Sequence, residues 1–179
     1  MASIAEVGFQ RTTAAEIARR AGETWGAVQH HFGGKDGILL AVLEDSFRRF
    51  SDLVEEPEAG EALADRVARF VGRAWQHFGS DHYRSTFEIL LHYLPDESEQ
   101  QGPTLQTQML KRWDDLFSRL FPEAPDPKRR LLERYALAVL SGLAAHTALA
   151  GVAAPPPHLE LGLLKDTLTR ELRGPASPA

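Results

Sequence analysis

Gly8 to Lys35 reads GFQRTTAAEIARRAGETWGAVQHHFGGK, and these 28 residues decide the fold. Thr13 precedes a helical run with Glu16 three residues on, the spacing at which hydroxyl and carboxylate satisfy each other's free backbone amides as a capping box. A helix therefore starts at about Ala14. Ile17, Ala18 and Ala21 form a narrow apolar stripe on it, and Gly22 supplies the left-handed residue that ends it. Thr24 then caps a second short helix from Trp25 to His31. In that helix Ala27, Val28 and His31 are expected to face inward, leaving Trp25, Gly26, Gln29 and His30 outward. A helix stopped by glycine and restarted by threonine within three residues is the pattern of a helix-turn-helix. On spacing alone an ordinary helical hairpin in an all-helical domain fits as well.

The residue types settle on more than spacing. Gly8-Phe9, Thr12-Thr13, Ile17-Ala18, Ala21-Gly22, Thr24-Trp25-Gly26, His31-Phe32 and Lys35 resemble, at fixed spacing, the N-terminal domain of the TetR family of bacterial transcriptional repressors. Three positions depart from the family pattern. Gln29 stands where Tyr is usual, Glu23 where a small apolar residue is usual, and Trp25 is uncommon beside the phosphate backbone. The family's first helix runs more than a dozen residues before Gly-Phe, whereas Met1 to Val7 precede it here. A shortened first helix with fewer phosphate contacts is the expectation.

The resemblance implies roles for individual residues. Thr13 and Thr24, at helix N-termini, would receive phosphates, where amides and helix dipole favour an anion. Lys35 would add a charge contact, and Gly26 would let backbone approach DNA. Gln29 has the paired donor and acceptor that address adenine in the major groove. Trp25 and His30 would touch sugar-phosphate or a thymine methyl, and His31 would contact DNA or orient the turn. For each of these, plain solvent exposure is the alternative.

Charge and composition bound the rest. The chain has 179 residues, no cysteine and a net charge of −5, so disulfides, thiolate metal sites and cysteine nucleophiles are excluded. Met1 to Lys35 carries four basic and three acidic residues, while the remainder carries 16 and 22. The head is thus the least acidic part but only weakly basic, and indiscriminate coating of nucleic acid is disfavoured. No basic region followed by an apolar core opens the chain, so a cytoplasmic protein is expected. Ala136 to Ala154 has no acidic or cationic side chain apart from the titratable His146. Its alanines, Ser141 and Thr147, and the lead-in through Arg130, Glu133 and Arg134, favour a buried helix over a membrane span.

Beyond Lys35, apolar residues recur at helical spacing between breakers. Helices are expected over Gly37 to Val54, Ala62 to Phe78, His82 to Leu94, Thr104 to Phe121, Lys128 to Ala150 and His158 to Leu172. Pro95-Asp96-Glu97, Gly102-Pro103 and the stretch Pro122 to Pro127 read as loops. The fold class is all-α, nine helices counting the N-terminal stub: a three-helix helix-turn-helix domain followed by a helical ligand-binding and dimerisation domain. The expected boundaries are 1–35 for the DNA-binding domain, 36–56 for a connecting helix, 57–173 for the effector-binding and dimerisation domain, and 174–179 for a disordered tail.

Leu161, Leu164, Leu168 and Leu172 form one stripe, and Leu132, Val139, Leu143 and Ala150 another. They either complete the core of one chain or meet a second chain. TetR-like proteins usually dimerise through their last two long helices, so the resemblance assigns Val139, Leu143, Leu161, Leu164 and Leu168 to a homodimer seam. A twofold dimer reads a palindromic operator of double-stranded DNA. The resemblance also implies a small-molecule effector, expected to be hydrophobic, among Trp75, Phe78, Phe87, His92, Trp113, Phe117 and His146; Tyr93, Tyr135 and His77 are nearby candidates. Core packing is the other reading of these aromatics.

No phosphate-binding Gly-rich loop, His-Glu-x-x-His or Gly-x-Ser-x-Gly is present, so no catalysis and no cofactor are expected. His77, His82 and Asp81 lack fixed ligand spacing, and no metal site is assigned. The reading is a ligand-responsive repressor; the alternative is a helical ligand-binding or adaptor protein that no longer binds DNA.

Overall fold

The computed structural model describes residues 14–54, 57, 60–92, 105–150 and 155–173. Thr13, the shortened first helix, the expected loops at 95–97 and 102–103, Tyr93 and the tail 174–179 lie outside the described residues. So do the side chains of Ile17, Lys35 and His92. Every described element is helical: α1 (Ala14–Ala21), α2 (Trp25–Phe32), α3 (Lys35–Leu53), α4 (Leu63–Phe78), α5 (Asp81–His92), α6 (Leu105–Leu120), α7 (Asp126–Ala150) and α8 (His158–Leu172). Among the described residues no helix is long and apolar enough to cross a membrane.

The turn between α1 and α2 follows from its residue types. Gly22 sits at φ 73°, and the Gly22 and Glu23 amides donate to the carbonyls of Arg19 and Ala18, which closes α1 with a Schellman pair. Two residues later the Thr24 hydroxyl accepts from the Ala27 amide at 3.2 Å and starts α2. Gly33, at φ 72°, ends α2 with its amide on the Gln29 carbonyl. Ala18, Val28 and Ile38 form the small core that binds α1, α2 and the start of α3.

Two of the described helix starts differ from expectation by two residues, and the others by at most one. The connecting helix α3 begins at Lys35 rather than Gly37. Gly37 is instead a packing requirement, because a Cβ there would stand 1.7 Å from the Phe32 carbonyl oxygen. The long helix α7 begins at Asp126, not Lys128, so Pro127 lies in its first turn rather than in a loop. Proline has no amide to lose there, and the Arg129 amide already closes the turn on the Pro125 carbonyl.

α4 is the hub of the larger part, packed by α3, α5, α7 and α8. Its Val67, Phe70, Val71, Ala74 and Phe78 are buried, and an aromatic seam runs beside it. Phe50 of α3 meets Trp113 of α6 edge-on at 4.6 Å, and Phe70 meets Phe117 and Phe121 at 5.6 Å each. On the opposite side of the hub lie Leu161, Leu164, Leu168 and Leu172 of α8, all buried within one protomer. The leucines expected at the seam between two copies therefore fill the chain's own core, while Val139 and Leu143 are partly buried against it.

Candidate nucleic-acid interface

α2 presents one buried side chain, Val28, and an exposed face opposite. At 100° per residue, Gly26 and His30 lie across the helix from Val28, with Gln29 and Trp25 to one flank. All four are exposed, as is the capping Thr24. Ala27 and His31, expected inward, are exposed as well, because an eight-residue helix resting on one small core buries little more than a single row. The His31 ring instead stands edge-on to Phe32 at 4.7 Å. Lys35 opens α3 directly after the glycine pair Gly33-Gly34.

Gly26 is the informative member of this face. It stands in the first turn of α2, second after the capping Thr24, where glycine is a poorer helix former than alanine. Yet a Cβ there would meet only the Thr24 hydroxyl oxygen, at 4.0 Å. Nothing within the described chain requires its absence.

Charge near this face is restrained. The Glu16 carboxylate accepts from Arg19 at 2.7 and 2.8 Å and from Arg20 at 2.7 Å, and these hydrogen bonds hold its pKa down at about 2. One acid thus offsets the two arginines of α1, in keeping with a weakly basic head.

The residues expected to hold an effector are brought together in part. Phe78, Trp113 and Phe117 sit inside the aromatic core, and Trp75 and Phe87 pack against its edge. Phe78 and Phe87, with Arg84, Ala144 and Ala148, border a cleft of only about 30 Å³, the scale of a single water. His146 lies exposed on α7, apart from them.

The sequence reading passed over two polar groupings beside this core. Ser46, His77 and Thr86 are buried where α3, α4 and α5 meet. The Thr86 hydroxyl donates to Ser46 Oγ at 3.2 Å, and His77 Nε2 faces the same oxygen at 3.5 Å. Burial pushes the His77 pKa down to about 4, so the ring is neutral near pH 7. Each of the three comes from a different helix, and no local spacing links them.

The second grouping is Glu133 of α7, 6% exposed, facing Asp114 of α6. Burial first, and the Asp114 charge second, push the Glu133 pKa up to about 7, against the smaller opposing pull of Arg129 and Arg130. The native state keeps a proton that the unfolded chain releases above about 4.5, so stability is lost as pH rises from there through about 7. Glu133→Gln removes that loss. Its melting temperature should exceed the parent's by about 4 °C or more at pH 8, and the gap should close at pH 5, in paired calorimetric scans. An equal gap at both pH values refutes the linkage.

Comparison with known proteins places this geometry. The sequence model of the bacterial regulatory proteins of the tetR family matches residues 1–42. The HTH-type transcriptional regulator BetI of Stenotrophomonas maltophilia is 30% identical over 158 residues, covering 83% of this chain and 77% of the relative. BetI 2 of Chromohalobacter salexigens is 46% identical over 54 residues, a match that spans 30% of this chain and 26% of that relative. A transcriptional regulator from Rhodococcus sp. Rha1 shares the fold with a TM-score of 0.67 at 22% identity, covering 98% of this chain and 93% of that one. With a family pattern over its head and a relative matched through most of its length, the chain belongs to the TetR family of bacterial transcriptional regulators.

Proposed function

We propose that the chain acts as a homodimeric, ligand-responsive repressor: two copies occupy a palindromic operator, and a small-molecule effector releases them. Residues 1–35 serve as the reading head, 36–56 as the connecting helix and 57–173 as the effector-binding and dimerisation part. The observation that carries this reading is the outward face of α2, where Gly26 omits a side chain without an internal reason, between the exposed Gln29 and His30. Close approach of a DNA backbone accounts for that gap, and Gln29 beside it supplies base-reading hydrogen bonds. Thr24 and Lys35 are assigned to phosphates, and Trp25, His30 and His31 to the groove walls.

A dimer has its own support on the far side of the molecule. The leucines that point away from the core on α8 are Leu159 and Leu163, 87% and 64% exposed. On α7 the outward row is Leu131, Tyr135, Ala138, Gly142 and Leu149, spaced at three, four and seven residues along one face. Gly142 repeats the logic of Gly26, since a Cβ there would meet nothing within 4 Å in its own chain. A second copy laid across this face buries apolar surface that is otherwise in water.

Fluorescence anisotropy on DNA fragments from the neighbourhood of the chain's own gene tests the reading. Saturable binding to a palindromic fragment over excess competitor is the expected result, and absence of such binding overturns it. Within that assay Gln29→Ala should relax base preference at one position by about 1–3 kcal/mol. Lys35→Ala should instead weaken all sequences alike and lower the salt slope by about one. If both variants bind as the parent does, the residue assignment is wrong.

A further inference from the structure

Open clefts flank α3 on two sides. Toward α6, Arg112 crosses a cleft of about 590 Å³, pairing with Glu44 at 3.7 Å and lying over the Phe47 ring at 5.9 Å. Toward the α4–α5 elbow a second cleft of about 600 Å³ has a different character. Its walls are Arg48 and Arg49 from α3, Gln76 and His77 from α4, Ser80 from the elbow and His82 from α5, with Asp52 as the acid among them. We propose that this second cleft is a binding site for a small molecule carrying a carboxylate or a phosphate group. As an effector site it rests on the regulator reading above; as an anion site it does not.

Three observations carry it. First, its volume lies within the range of small-molecule sites, about 300–1,000 Å³, while its lining is polar except for Leu53. Second, the cationic groups have donors to spare. Arg49 uses its Nε on Asp45 at 2.6 Å, which leaves both terminal nitrogens of a planar fork for bidentate capture of a carboxylate or phosphate. Arg48 is divided between Asp45 and, at 3.6 Å, Asp52. Third, His82 Nε2 is withdrawn from solvent and has no hydrogen-bond partner. A buried ring nitrogen without a partner costs free energy, which a hydrogen bond to a ligand in the cleft would recover.

The Ser80 hydroxyl is already committed: it donates to the His77 carbonyl and accepts from the Tyr83 amide, and so holds the elbow's shape. The cleft thus has one rigid wall and one wall made by α3. A molecule spanning them touches the connecting helix itself.

The test uses the full chain without DNA and two probes, inorganic phosphate and succinate. The imidazole NMR signals of His77 and His82, assigned through single substitutions of other histidines, report occupancy of the cleft apart from anion binding elsewhere. At least one probe should shift both rings saturably, phosphate if the natural ligand is phosphorylated and succinate if it is a carboxylate. Arg49→Gln, whose side chain is mostly exposed and whose fold is checked by circular dichroism, should weaken that binding about tenfold or more. Arg84→Gln, outside the cleft and paired with Asp81, should leave it unchanged. Neither ring moving with either probe overturns the proposal, as does an unaltered affinity in Arg49→Gln. Operator binding measured separately keeps the two readings apart: a chain that binds DNA but neither probe retires the cleft and spares the regulator, and the reverse result does the opposite.

Discussion

Leu168→Ala is expected to lower the unfolding free energy by about 3 to 5 kcal/mol, a large share of the 5–15 kcal/mol typical of a folded chain. Leu168 is 0% exposed and seated between α8 and the hub helix α4 in the middle of the main core. Truncation removes the transfer free energy of the side chain and leaves a cavity that close-packed neighbours cannot collapse to fill. Urea titration at several protein concentrations checks it. The midpoint should fall at every concentration, because the side chain lies within one copy. A loss confined to low protein concentration would return Leu168 to the seam between copies.

Leu159→Arg combined with Leu163→Arg is expected to do the reverse. Both leucines are exposed in the single chain, so the fold should keep its melting behaviour at high dilution, while self-association is lost as two desolvated cations are forced onto each side of an apolar contact. Operator affinity should drop about 100-fold or more, because a monomer holds one half-site and forfeits the joint binding of two. Sedimentation velocity and anisotropy on the same samples decide it. A variant that remains dimeric and fully bound removes α7–α8 from the assembly.

These two substitutions mark what the sequence could and could not reveal. The limits of α8 were legible to the residue, His158–Leu172, because proline precedes it and leucines recur without interruption. The same leucines were assigned to the wrong side. Periodicity identifies a stripe but not the surface that covers it, and α8 carries a second, shorter apolar row in Leu159 and Leu163. The turn between α1 and α2 was legible because Gly22 and Thr24 each do something few residue types can. Pro127 misled through the opposite error, a residue read as a breaker although its position in a first turn makes it harmless. The aromatics of the middle helices, read as an effector pocket with core packing as the alternative, lie in or against the packed core. The polar cleft beside it is assembled from side chains up to 34 positions apart, Arg48 to His82, and no local spacing records such a meeting.

The glycine at 37 has a mechanical consequence. With no room for even a methyl group between it and the Phe32 carbonyl, α2 and the first turn of α3 move as one piece. From Lys35 to Phe50, where α3 enters the aromatic seam, the helix spans about 22 Å. It is a lever with a stiff joint at one end and a fulcrum at the other. A tilt of about 10° about Phe50 carries α2 through about 4 Å, a large displacement for a face that must stay in register with base edges repeating every 3.4 Å or so. If an effector drives the release proposed above, backlash at that joint would absorb the stroke before it reached the DNA, and the missing side chain at Gly37 would remove the play.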